Sequence, residues 1–262
     1  MKNQFGRVSE LRIGSEKSGE GTRLADVFYT APFKIMQPFP TDRGLQVMML
    51  SASAGVMAGD TQHFFFKIGE GSRLEFISQS FEKIHKMDDG WAERNIEITV
   101  EADAVFDFYP QPTIPFAGSA YQSGMEVNLT DETSRFGLYE ILSCGRSASG
   151  ERFKYRFYHS LIQIRRRGKL IYRDNTRYEP ERMEMEGVGM YESYTHLANL
   201  FLTANRVPDT EKENAIRSLV EKTPYVEGGF SRLESDDVVI RILGKRAQTL
   251  QQLTEKIKQI AE

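Results

Sequence analysis

Few side chains in this sequence could do covalent or metal chemistry. The four histidines, His63, His85, His159 and His196, fall on different segments without HxH or HExxH spacing, so nothing local assembles the three-imidazole site of a catalytic zinc. Cys144 is the single cysteine, which excludes an internal disulfide, a CxxC redox pair and a thiolate-rich metal cage. It could act as a thiol nucleophile with a distant histidine, or be a small buried residue on a strand. The glycine-rich stretch Ser51–Asp60 lacks the Lys-Ser/Thr of a P-loop and the third glycine of a dinucleotide fingerprint, and a strand-like run, Phe64–Ile68, follows where those motifs need a helix. Nucleotide binding is disfavoured. Asp60 is left to cap its own turn or to point into a cavity.

The most specific local pattern is Leu138–Phe153. A run in which Phe136, Leu138, Glu140 and Leu142 alternate with Tyr139 and Ile141 opens into a Gly/Ser/Arg loop, and Phe153, Tyr155 and Phe157 resume the alternation beyond it. The two runs suit a pair of strands. Gly145 and Gly150 permit positive φ between them, and Arg146, Ser147, Ser149 and Arg152 could bind an anion, a partner carboxylate or the loop's own carbonyls.

The elements that must position these residues are mainly β. From residue 5 to about 205 the chain reads as short alternating segments separated by turn chemistry, a β-rich body over 1–205. Phe64–Ile68 and Leu74–Phe76 look hairpin-linked through Gly69-Glu70-Gly71, and Leu161–Ile164 with Leu170–Ile171 suggest a second hairpin whose inner members are buried on both faces. The prolines of Tyr109–Phe116 belong at a sheet edge, corner or crossing. Beyond about 206 an α/β extension, 206–262, packs on the body. It has a helix over 210–222 opened by the capping box Thr210-Glu-Lys-Glu213, a strand at 238–243 and a final helix carrying the stripe Leu250, Leu253, Ile257 and Ile260. That stripe can dock on the body or on another protein.

The 262 residues, 40% hydrophobic with 17 Phe and 11 Tyr, make a folded, aromatic-rich protein, and a net charge of -3 argues against a nucleic-acid binder. The basic run Arg165-Arg166-Arg167 reads as a solvated hairpin tip. The N-terminus lacks a signal-like apolar stretch and no run is long enough to span a membrane, so a cytoplasmic protein without membrane contact is expected.

Four ordered segments, Ser53–Asp60, Ser78–His85, Phe106–Gly118 and Leu138–Phe153, together resemble the urease accessory protein D family, called H in some organisms, which helps insert nickel into apo-urease. The resemblance implies a helicoid-like stack of β-sheets and a non-catalytic chaperone. Its partners would be accessory proteins F and G and the urease apoprotein, with GTP hydrolysis left to G. It implies no tightly bound cofactor and no stable metal site, only transient nickel(II) in an interior channel. Sparse oxygen ligands suit such transit, because a dense His/Cys site would hold nickel too long to hand it on. Asp60 and Glu140 match family positions and are path candidates, with Asp174 a third. Gly145, Arg146, Ser149, Gly150, Glu151 and Arg152 form a structural loop, braced through backbone carbonyls and Glu151. Leu250, Leu253, Ile257 and Ile260, or the 210–222 helix, could meet the F partner. The alternatives are a β-rich binding module without a metal role, or a small-molecule hydrolase using Cys144 and Glu140.

Overall fold

The computed structural model describes residues 7–262. Its strands are β1 (Val8–Ser18), β2 (Gly21–Tyr29), β3 (Phe33–Ile35), β4 (Phe39–Thr41), β5 (Gly44–Ser51), β6 (Thr61–Ile68), β7 (Arg73–Ser78), β8 (Glu82–Ile84), β9 (Ala92–Val100), β10 (Val105–Tyr109), β11 (Thr113–Pro115), β12 (Ala120–Leu129), β13 (Arg135–Ser143), β14 (Phe157–Arg166), β15 (Lys169–Tyr178), β16 (His196–Leu202), β17 (Val226–Arg232) and β18 (Val238–Gly244). Two helices, α1 (Thr210–Lys222) and α2 (Ala247–Ile260), belong to the C-terminal part.

The strands form two facing sheets. One has seven strands in the order β15-β14-β12-β9-β6-β1-β2, and the other follows β17-β18-β16-β13-β10-β7-β5-β3 with β4, β8 and β11 attached. From β5 to β14 the chain winds between them, so that β6, β9, β12 and β14 run parallel in one sheet while β5, β7, β10 and β13 run parallel in the other. This is the helicoid-like stack of sheets expected above. The corners at one end are tight. Gly71 at φ 66° and Asp103 at φ 55° take the left-handed backbone that short reversals demand. The opposite end carries the long connections, including β8 and β11.

This winding corrects the first expected hairpin, because β6 and β7 lie in different sheets and Gly69–Ser72 is a corner between them. Alternation reports which face is buried and not which sheet receives the next strand. The strand pair around 145–150 fails for the same reason: β13 and β14 belong to opposite sheets, and Phe153 and Tyr155 precede the second strand, with Phe153 at φ 47°. The β14–β15 hairpin is present, turning at Arg167 and Gly168, but its faces alternate and Leu170 is exposed. Arg166 departs from the solvated tip, pairing at 2.7 Å with the buried Asp237. The proline segment does precede a crossing, from β11 in the larger sheet to β12 in the smaller.

Both helices share a core with the outer face of the larger sheet, which explains why β13 is buried on both sides. The α1 cap is Asp209, whose carboxylate accepts the Lys212 N–H at 2.9 Å, one residue before the expected Thr210 box. On α2, Leu250, Leu253 and Ile257 are buried and Ile260 packs beside them. The stripe therefore faces the chain's own body, and a partner meeting α2 in this arrangement would meet its other side.

Candidate functional site

Register places the side chains that face the opposite sheet in rows. In the smaller sheet Ile13, Phe66, Ile98, Val127, Ile164 and Tyr172 form one row, and Leu11, Phe64, Ile96, Met125, Ile162 and Asp174 the next. The third row is Ser9, Gln62, Arg94, Ser123, Ser160 and Thr176. The larger sheet changes at the same level. Val47, Phe76, Phe108, Leu138, Phe201 and Val239 give way, two residues further along, to Met49, Ser78, Glu140, Asn199 and Arg241. The interior is thus apolar towards the tight corners and polar towards the long connections. At that transition lies a chamber of about 70 Å³ whose walls mix polar side chains with apolar ones such as Met49, Phe64 and Leu142, with room for several waters.

Its charges are unequally matched. The buried Arg94 guanidinium donates to Gln62 (2.8 Å from Nε) and to Glu82, and lies 4.7 Å from the Phe64 ring centre. Burial opposes its charge, yet Glu82 beside it keeps its pKa raised. Asp174, also buried, accepts from Arg241 (2.8 Å), Thr176 (2.9 Å) and Asn199 (3.3 Å), joining β15 to β16 and β18 across the sheets. Glu140 lines the same chamber without a hydrogen-bond partner among the described residues. Burial first, then the negative charge of Asp174, push its pKa up to about 7 against the opposing pull of Arg94.

The expected residues divide accordingly. Glu140 and Asp174 meet in the chamber. Asp60 does not: it accepts the Met57 N–H at 2.8 Å and caps its own turn. Arg146 pairs with Glu151 at 2.9 Å from Nε, and the other Glu151 oxygen accepts the Ala117 N–H. Gly145 sits at φ 134°, where a Cβ would come within 2.7 Å of the Glu151 carbonyl, and Gly150 at φ 71° closes a short 3-10 turn over Ser147–Ser149. Ser149 contributes its backbone N–H, bonded to the Arg146 carbonyl at 2.8 Å. Arg152 reaches away from the loop to the Tyr194 carbonyl (3.3 Å) and Glu186 (2.5 Å). Cys144 is buried, its thiol pushed up to about 11, and it is not a chamber wall, which separates it from Glu140. His196 is buried beside Thr195, its pKa pushed down to about 4 by that burial. Among the described residues no group of three His, Cys, Asp or Glu converges as a metal cage.

Sequence reasoning missed Arg94, Glu82, Asn199 and Arg241. Arg94 was detectable, since it falls two residues before Ile96 on an inward-facing alternation. The four segments singled out above, distant in the chain, stack at the long-connection end. Val56 bridges Ile84, β8 pairs with β11, and Ala117 bonds to Glu151.

Fold and site together define a class: two-sheet, helicoid-like β proteins with a charged chamber between the wound sheets. The family model for the UreD urease accessory protein matches residues 7–262. A urease accessory protein UreD of Acetivibrio thermocellus is 37% identical over 262 residues, covering 99% of each chain. UreH of Helicobacter pylori strain P12 is 35% identical over 97% of this chain and 95% of its own. UreD of Flavobacterium johnsoniae is 28% identical, covering 96% and 91%. The chain belongs to the UreD urease accessory protein family, and its role lies in urease maturation.

Proposed function

We propose that this chain is a non-catalytic chaperone that binds apo-urease together with accessory proteins F and G and conducts nickel(II) towards the urease active site, with GTP hydrolysis supplied by G. The observation that carries the reading is Glu140, a carboxylate with no hydrogen-bond partner among the described residues, in a chamber of mixed polar and apolar walls. Asp174 across the chamber is already paired with Arg241. One free carboxylate among hydroxyls and amides would hold a hydrated divalent ion weakly, as cargo in transit requires, whereas imidazole or thiolate ligands would retain nickel. Nickel is here a substrate passed on, not a resident cofactor. The cytoplasm is the compartment this reading requires; no helix among the described residues is long and apolar enough to cross a membrane.

The test is co-expression of F, G and apo-urease with and without this chain, reading nickel per urease active site. Loading that depends on the chain is expected. Full loading in its absence would overturn the proposal.

A further inference from the structure

The wall between the chamber and the outer face of the larger sheet has a gap at the chamber's own level. Strand β10 pairs with β13 through Phe108 and Leu138, and the next contact on that side of β13 is Thr113 of β11 with Leu142. Between them Pro110-Gln111-Pro112 makes no ladder pairing with β13, and its two prolines have no N–H to donate. The position in register with Glu140, where a strand residue would close the row, is filled by this bend.

Beyond the bend lies a groove of about 400 Å³ beneath α2, edged by Asp42, Glu75, Glu255 and Lys258. Pro110 and Gln111 line both the groove and the chamber. Gln111 is held from two directions: its N–H donates to the Ser78 hydroxyl at 2.8 Å, and its side-chain oxygen accepts from the Gln251 amide of α2 at 2.8 Å. Pro110 and Gln111 together separate the two spaces; the proline ring is fixed, and the Gln111 side chain is held laterally by a single neutral hydrogen bond from a helix.

We infer that the Pro110-Gln111-Pro112 bend is a port joining the interior chamber to the groove under α2, and that the Gln111–Gln251 amide pair is its shutter. The inference deepens the conduit reading by giving a small hydrated cation a way in or out of the chamber. The groove carries an excess of one negative charge for such an ion to pass, since Glu75 and Glu255 are paired with Lys258 and Arg43 and Asp42 adds a third carboxylate. Opening needs only rotation of Gln111 away from Gln251, leaving the strand ladders on either side paired.

The experiment places a thiol in the chamber with Ser123→Cys in the full chain. Its modification by a methanethiosulfonate reagent bearing an ammonium group is followed by mass mapping, which separates this site from Cys144. Added Gln251→Leu, which releases the shutter, should speed labelling roughly two- to tenfold, the equilibrium worth of one hydrogen bond. Added Gln111→Phe, which plugs the bend, should slow it. If Gln111→Phe does not fold by circular dichroism, Gln251→Leu decides alone. A rate indifferent to Gln251→Leu, or one raised only by Arg241→Gln at the flank between β15 and β18, overturns the port. No nickel enters the assay, so the port and the conduit reading fail separately.

Discussion

The two ends of the space between the sheets are built on the same strands, one step of alternation apart, yet they are filled in opposite ways. Towards the tight corners, Phe66 lies 4.9 Å from Phe76 and 5.2 Å from Phe106, and Phe76 stacks on Phe108 at 5.4 Å, with Phe106 and Phe136 fully buried. Aromatic packing at these distances leaves no room for water and supplies the burial that holds the sheets together. Towards the long connections the same inward positions carry Arg94, Ser123, Ser160 and Glu140, and the space stays open. A uniform apolar core would be the more stable filling of one sandwich. The polar half costs stability at Glu140, whose carboxylate has no hydrogen-bond partner among the described residues, and this is where function is to be sought.

The comparison breaks first if the Phe half is not the stabilising one. Phe106→Ala should lose about 3–5 kcal/mol in denaturant unfolding, the usual cost of truncating a buried aromatic. Ser160→Ala in the chamber wall should stay within about 1 kcal/mol. Equal losses at the two sites would remove the distinction.

Glu140 sharpens it. The folded protein keeps this proton up to about pH 7, while the unfolded chain releases it near pH 4.3. Between these values the folded state binds the extra proton, so stability falls as pH rises and the loss is complete above pH 7. The cost by pH 8 is on the order of 3 kcal/mol. Glu140→Gln should therefore be more stable than the parent at pH 8 and close to it at pH 4, measured by urea midpoints. The buried His196 gives the opposite slope, its stability contribution present above pH 6.5 and lost as pH falls towards 4. It is present in both proteins and cancels in their difference.

The smallest expected effect lies outside both halves. Arg152→Ala removes a partly exposed pair with Glu186 and one bond to the Tyr194 carbonyl. It should cost about 1 kcal/mol. A larger loss in thermal melting would make the loop a stabilising centre comparable with the Phe cluster.

Much of this architecture was legible in the chain. Alternation showed a β body and the inward set Phe136, Leu138, Glu140 and Leu142; helical spacing located both helices; and the prolines at 110–115 marked a crossing. Strand partners were not legible, because a corner through Gly69-Glu70-Gly71 and a hairpin through the same residues leave identical alternation on either side. Glu140 and Asp174 were found as candidates, but their asymmetry was not: Arg241 comes from a strand 67 residues after Asp174, and only the folded sheets bring them together. Which way Asp60 points was not legible, because Gly-Asp at a turn end reads alike whether its carboxylate caps the turn or enters a cavity.

The measurement that bears most directly on the account is nickel per urease active site after co-expression with accessory proteins F and G and either the parent chain or Glu140→Ala, with recovery of the partner complex checked by pull-down. The account predicts an intact complex and urease depleted of nickel. An intact complex with fully loaded urease would contradict it, leaving the chamber a polar interior without traffic.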